Sequence, residues 1–162
     1  MLNQFKNLSC YEEFEIQCAL VGISKIDILR DIGHRVNDYY FFISNDGIFN
    51  WFDLNGNHIE TPYVFTYITE CHIPKTIFRC IIPNNIRSIF NEAFFKCQSL
   101  TTVYIPNTLT YIGYYAFNMC DALKEVIFKG RTLEEVKQMK NYPFGIKDES
   151  IIKCDLIENL IF

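Results

Sequence analysis

Between Ile82 and Phe128 the apolar positions return at a fixed interval. Laid over one another, residues 82–104 and 105–127 match at an offset of 23. Ile82-Pro83-Asn84 recurs as Ile105-Pro106-Asn107, Ile89 as Ile112, Ala93-Phe94 as Ala116-Phe117, and Cys97 as Cys120. Leu100 recurs as Leu123, Val103 as Val126, Leu109 answers Ile86, and a third round opens at Phe128. A period of this size marks stacked repeats, in which each round buries its apolar face only against its neighbours. Residues 71–81 read as a degenerate round. Ile77, Cys80 and Ile82 hold the slots of Leu100, Val103 and Ile105, while Cys71 and Pro74 stand where Phe94 and Cys97 are expected. Atypical end repeats are usual in such arrays. Two good rounds and a poor one barely reach the roughly three needed for a stable stack, so flanking segments are expected to cover the open ends.

The first 70 residues lack this period. Residues 7–19 predict a helix, with Ser9 and Glu12 as a capping box and Tyr11, Phe14, Cys18 and Val21 on one face. Gly22 ends it. Ser24 and Asp27 cap a second helix carrying Ile28, Leu29 and Ile32, which Gly33 stops. Aromatic residues 39–43, the turn Ser44-Asn45-Asp46-Gly47 and residues 48–52 predict a hairpin. A second turn at Asp53-Leu54-Asn55-Gly56-Asn57 leads to His58-Ile59, and residues 63–68 predict a third strand behind Pro62. Downstream, Thr132 and Glu135 cap a helix through Met139, residues 141–145 form a turn, and residues 151–154 return as a strand on the last rung. Leu156, Ile157, Leu160, Ile161 and Phe162 make an apolar tail suited to packing back or docking into a partner. The expected fold is α+β: a helix pair and β-meander in residues 1–70, a short solenoid in 71–130, and a helical cap with its tail in 131–162.

The spacing Ile-Pro-x(2)-Ile/Leu-x(2)-Ile-x(3)-Ala-Phe-x(2)-Cys-x(2)-Leu-x(2)-Val-x-Ile-Pro, carried from Ile82 to Phe128, resembles the leucine-rich repeat of the BspA-like type. The segment from Arg131 to Cys154 is similar to the end of such arrays. The resemblance covers about half of the chain. It implies a repeat fold and a binding role without catalysis, often at cell surfaces. Short forms without an export signal are also of the kind that phages and mobile elements carry.

Alternation along a strand assigns the faces. Leu100, Val103 and Ile105 point inward, so Thr102 and Tyr104 point outward, as do Arg79 and Ile81 one round back and Glu125 and Ile127 one round on. Stacking sets Ile81, Tyr104 and Ile127 in a column flanked by Arg79, Thr102 and Glu125. An aromatic and two aliphatics within a charged rim suit a protein hot spot, unless the N-terminal segment folds over them.

Composition narrows the alternatives. Apolar residues form 49% of the chain, enough for a core. A net charge of -4 disfavours the phosphate-neutralising surfaces of nucleic-acid binders. No signal peptide is expected before the first helix, since no apolar run follows Lys6, and no run approaches the roughly 18 apolar residues of a spanning helix. Seven cysteines, an odd number, read as reduced cytosolic thiols. Cys97 and Cys120 read as small apolar filler, and Cys71-His72 lacks a second pair at zinc spacing. Asp53-x-Asn55-x-Asn57 starts like a calcium loop, but its sixth and twelfth positions are His58 and Val64. Neither metal nor other cofactor is expected. His34, His58 and His72 are scattered, and no nucleophile motif accompanies them. Residues 18–28 have a helix-turn-helix look, but Lys25, Arg30 and Arg35 are balanced by Asp27, Asp31 and Asp38.

The expected function is non-catalytic, cytoplasmic protein binding. Its sharpest form is a phage- or mobile-element-encoded inhibitor of a host defence complex, such as an anti-CRISPR. A structural assembly subunit using the repeat face and tail is the alternative, and a nucleic-acid-engaging regulator acting through residues 1–38 is the third.

Overall fold

The structure is a computed structural model and describes residues 3–156. The chain divides into two compact units between Val64 and Phe65, earlier than the expected boundary at 70.

The first unit opens with helices α1 (Tyr11–Val21) and α2 (Lys25–Ile32). Ser24 caps α2 as expected, its side chain accepting the Asp27 N–H. Gly22 ends α1 in the left-handed conformation, φ 69°, where glycine has no Cβ penalty. The start of α1 differs from the expectation. The helix begins at Tyr11, with Cys10 at the N-cap, and Glu13 rather than Glu12 reaches back to the Ser9 N–H (2.6 Å) and hydroxyl (2.7 Å). An antiparallel sheet follows: β1 (His34–Val36), β2 (Tyr39–Ile43), β3 (Phe49–Asp53) and β4 (His58–Ile59), in that order. The three-residue β1 was not anticipated, and β3 lies one position later than 48–52.

Both faces of the central hairpin are apolar. Tyr40, Phe42 and Phe52 join Phe14, Cys18, Ile28 and Leu29 in one core. On the opposite face Phe41 packs on Trp51 and Phe49, with centroids 4.8 and 5.3 Å apart. Buried Asn50 is satisfied, donating to the Ser44 hydroxyl and the Ile48 carbonyl, both at 3.0 Å.

His58 stacks on Tyr11 at 3.8 Å and stands 5.3 Å from Phe52. Burial holds its pKa below the ordinary 6.5, against the pull of Glu15. The folded state therefore binds fewer protons here than the unfolded one. The associated stability is complete above about pH 6.5 and is lost as pH falls through the depressed folded value. The urea midpoint of the first unit should drop between pH 7.5 and 5, and His58→Phe should reduce the drop. The single tryptophan, Trp51, is buried in this unit and reports the transition by fluorescence. A midpoint that is flat with pH refutes the account.

The second unit contains two parallel sheets built from alternating segments. Its strands are β5 (Tyr67–Ile68), β6 (Arg79–Ile81), β7 (Ser88–Ile89), β8 (Thr102–Ile105), β9 (Tyr111–Ile112) and β10 (Glu125–Lys129). Helix α3 (Leu133–Lys137) and β11 (Ile152–Asp155) close it. The larger sheet runs β11-β10-β8-β6 and the smaller β5-β7-β9. Residues 63–68 thus do not complete the meander. Strand is confined to Tyr67–Ile68, which pairs parallel with Ser88–Ile89.

In the larger sheet Cys80, Val103 and Val126 face one another in register. All three are fully buried, as are Ile68, Ile89 and Ile112 in the smaller sheet. The connecting loops are bonded round to round: Phe94 N–H to the Ala116 carbonyl at 2.8 Å, Lys96 to Asn118 at 3.0 Å, and Phe117 to Phe144 at 3.0 Å. Glu92 and Tyr115, then Lys96 and Met119, take left-handed φ angles of 55–59° in equivalent places. Thr132 caps α3, which stops short of the expected Met139, and β11 lies parallel on β10 as anticipated. Of the apolar tail, Leu156 is exposed, and residues 157–162 lie outside the described residues.

Candidate functional site

The outward residues of the larger sheet fall into rows. Arg79, Thr102 and Glu125 are opposite one another, and Ile81, Tyr104 and Ile127 form the next row. Inward neighbours Cys80, Val103 and Val126 are fully buried. The outward residues are half-buried, except Glu125, which is exposed. The rows continue onto β11, where Lys153 lies opposite Ile127 and Asp155 opposite Lys129. The column is therefore apolar at its centre with charges of both signs around it.

One contact here has no trace in the repeat pattern. The Arg79 guanidinium lies 4.9 Å from the Tyr104 ring centroid, and its Nη2 donates to the Tyr104 hydroxyl at 2.9 Å. This fixes the ring and spends part of the cation's hydrogen-bonding capacity. Arg79 has no counterpart in later rounds, where Thr102 and Glu125 follow it, so offset matching does not find the pair.

A second surface escaped the sequence altogether. On the smaller sheet Tyr67, Ser88 and Tyr111 are opposite one another. Phe90 stacks on Tyr67 at 5.0 Å, and Tyr114 lies 4.0 Å from Tyr115. The signal available was the outward alternation beside Ile89 and Ile112.

The other sequence candidates have structural roles. Burial pushes the Cys97 thiol up to about 11, that of Cys120 to about 12, and that of Cys80 further still. All three are protonated at neutral pH, which suppresses nucleophilic chemistry, and Cys120 donates to the Phe94 carbonyl. Asp53 accepts the Asn55 and Asn57 N–H groups at 2.9 Å and the Asn57 side chain at 3.0 Å, which lowers its pKa. Its carboxylate organises a turn. The cations of this region are engaged: on α2 Lys25 pairs with Glu15 and Arg30 with Asp27, and on β1 Arg35 donates to the Asn37 carbonyl.

The family profile described as BspA type leucine rich repeat region matches residues 70–160, in six copies, over more than half of the chain. The chain belongs to the BspA-type leucine-rich repeat family. No curated protein and no solved structure matches it. Leucine-rich repeats of this type are typically non-catalytic modules that bind proteins. No helix among the described residues is long and apolar enough to cross a membrane.

Proposed function

We propose that this BspA-type chain is a short solenoid with a 23-residue repeat and a helical cap, and that it grips a protein partner on the outward face of β6, β8 and β10. The observation that carries the reading is the column Ile81–Tyr104–Ile127, half-buried and in register, with Arg79 locking the tyrosine ring. A pre-fixed aromatic loses little freedom on binding, and a buried apolar centre inside a polar rim concentrates affinity. Arg79, Thr102 and Glu125 supply the rim and set the partner's register. Within this role, the specific form we favour is a phage- or mobile-element-encoded cytoplasmic inhibitor that occupies a host defence complex, such as an anti-CRISPR.

The test compares wild-type protein with the Tyr104→Ala, Ile127→Ala double variant. A hot-spot truncation costs about 2 kcal/mol or more, roughly thirtyfold in affinity. The folded double variant should lose the partner that the wild-type chain retains. Equal retention of that partner by both proteins removes this face from consideration. An assembly subunit is the second reading, supported by Leu156, which is 63% exposed at the end of the edge strand β11. Concentration-dependent self-association of the purified chain separates the two.

A further inference from the structure

The smaller sheet offers a recognition surface separate from the column. Tyr67, Ser88 and Tyr111 lie across β5, β7 and β9 in register, with buried Ile68, Ile89 and Ile112 as their inward neighbours. Neighbouring strands are about 4.8 Å apart, so the two tyrosine positions lie about 9.6 Å apart across the sheet. Phe90 stacks on Tyr67 with an interplanar angle of 21°, and the two rings are 45% and 46% exposed. Alongside runs an open groove of about 820 Å³, with Thr69, Glu70, Lys75, Phe90, Asn91 and Tyr111 in its lining.

The polar groups of the groove are already oriented. Asn91 Oδ1 accepts the Tyr114 N–H at 2.7 Å, which makes Nδ2 the donating end. The Tyr111 hydroxyl accepts from Asn141 Nδ2 at 3.4 Å and keeps its own proton to donate. Glu70 Oε1 meets Lys75 Nζ at 2.9 Å, leaving Oε2 for a second cation.

We propose that this groove binds a proline-rich protein segment in the polyproline II conformation, with a basic residue of the segment against Glu70. The match is one of period. Polyproline II advances about 3.1 Å per residue and repeats every three residues, about 9.3 Å per turn. Successive turns therefore set a proline ring over Tyr67 and another over Tyr111, with Phe90 between them. A bound strand repeats its facing side chain at about 6.7 Å and a helix turns in about 5.4 Å, and neither fits that spacing. The polyproline II backbone makes no internal hydrogen bonds, so its carbonyls accept from Asn91 Nδ2 and the Tyr111 hydroxyl. Aromatic-lined grooves exploit such chains because little entropy remains to be lost on docking. Lys75 shares the groove with Glu70 and balances its charge, so the basic residue of the segment is held by the remaining Oε2 and not by a net acidic surface.

The whole chain is titrated with a synthetic peptide of one arginine and eight prolines, followed by amide chemical shifts. Saturable binding is expected, with shifts at Tyr67, Phe90, Asn91 and Tyr111. Phe90→Ser should weaken it roughly tenfold or more. Glu70→Gln should weaken the arginine-bearing peptide and leave an all-proline peptide unaffected. Tyr111→Phe, which keeps the ring, provides a second measure if Phe90→Ser does not fold, and should also weaken binding. Absence of saturation, shifts confined to β6, β8 and β10, or unchanged affinity in the folded variants overturns the proposal. So does a result in which chitohexaose shifts the groove residues and the proline peptide does not, since the groove would then be a glycan site. Each of these failures leaves the column on the larger sheet untouched.

Discussion

Phe94→Ala lowers the stability of the second unit by about 3–5 kcal/mol, the range for removing a buried phenyl ring. Phe94 is fully buried and stacks on Phe117, with centroids 5.0 Å apart and an 18° angle between planes. Its neighbours Ala93 and Ala116 are also fully buried. They are too short to fill the void, so the site collapses poorly and the cost stays near the top of the range. The Phe94 N–H also holds the Ala116 carbonyl at 2.8 Å, so a shifted loop disturbs the next round. Urea unfolding followed by far-UV circular dichroism measures the loss. A change below about 1 kcal/mol would mean that the loops are not packed ring on ring.

Gly113→Ala is the second large effect, and it comes from adding one carbon. A Cβ at Gly113 would lie 2.3 Å from the Asn91 nitrogen, 2.5 Å from the Phe90 carbonyl carbon and 2.6 Å from Asn91 Oδ1. The first two are backbone atoms and cannot rotate away. The Gly113 N–H is itself tied to the Ile89 carbonyl at 2.7 Å, so the two rounds cannot separate without losing that bond. Overpacking of this kind costs about 1–3 kcal/mol, and the rigidity of the neighbours puts the expectation at the upper end. For a unit of this size each kcal/mol moves Tm by roughly 4–8 °C, so a fall of more than about 10 °C is expected in a thermal melt. An unchanged Tm would show that the rounds are further apart at this point than described.

The parts of this fold that were legible in the sequence were those with many equivalent contacts. The offset of 23 put Cys80, Val103 and Val126 in one row because a buried parallel sheet needs the same apolar character at the same height in every round. Ser24 and Gly22 were readable because helix ends have their own local chemistry. The membership of β5 was not. Two residues carry no periodicity, and its partner Ser88–Ile89 is remote in sequence, so the aromatic run at 63–68 looked like part of the preceding meander. The aromatic groove was hidden for a related reason: the slot of Phe90 is filled by Gly113 one round later, and matching on recurrence discards whatever does not recur. The Arg79–Tyr104 clamp is lost to the same filter. Outward side chains are those a repeat is free to vary, whereas those that stack the rounds are not.

The strict register of β6, β8 and β10 also limits how such a gene can change in size. Duplicating or deleting one whole round keeps every inward side chain inward and lengthens or shortens the outward column by one row. A slip of a single residue in any strand turns its apolar set to the solvent. Growth by whole rounds therefore preserves the buried rows, while the outward positions of each added row are free to differ.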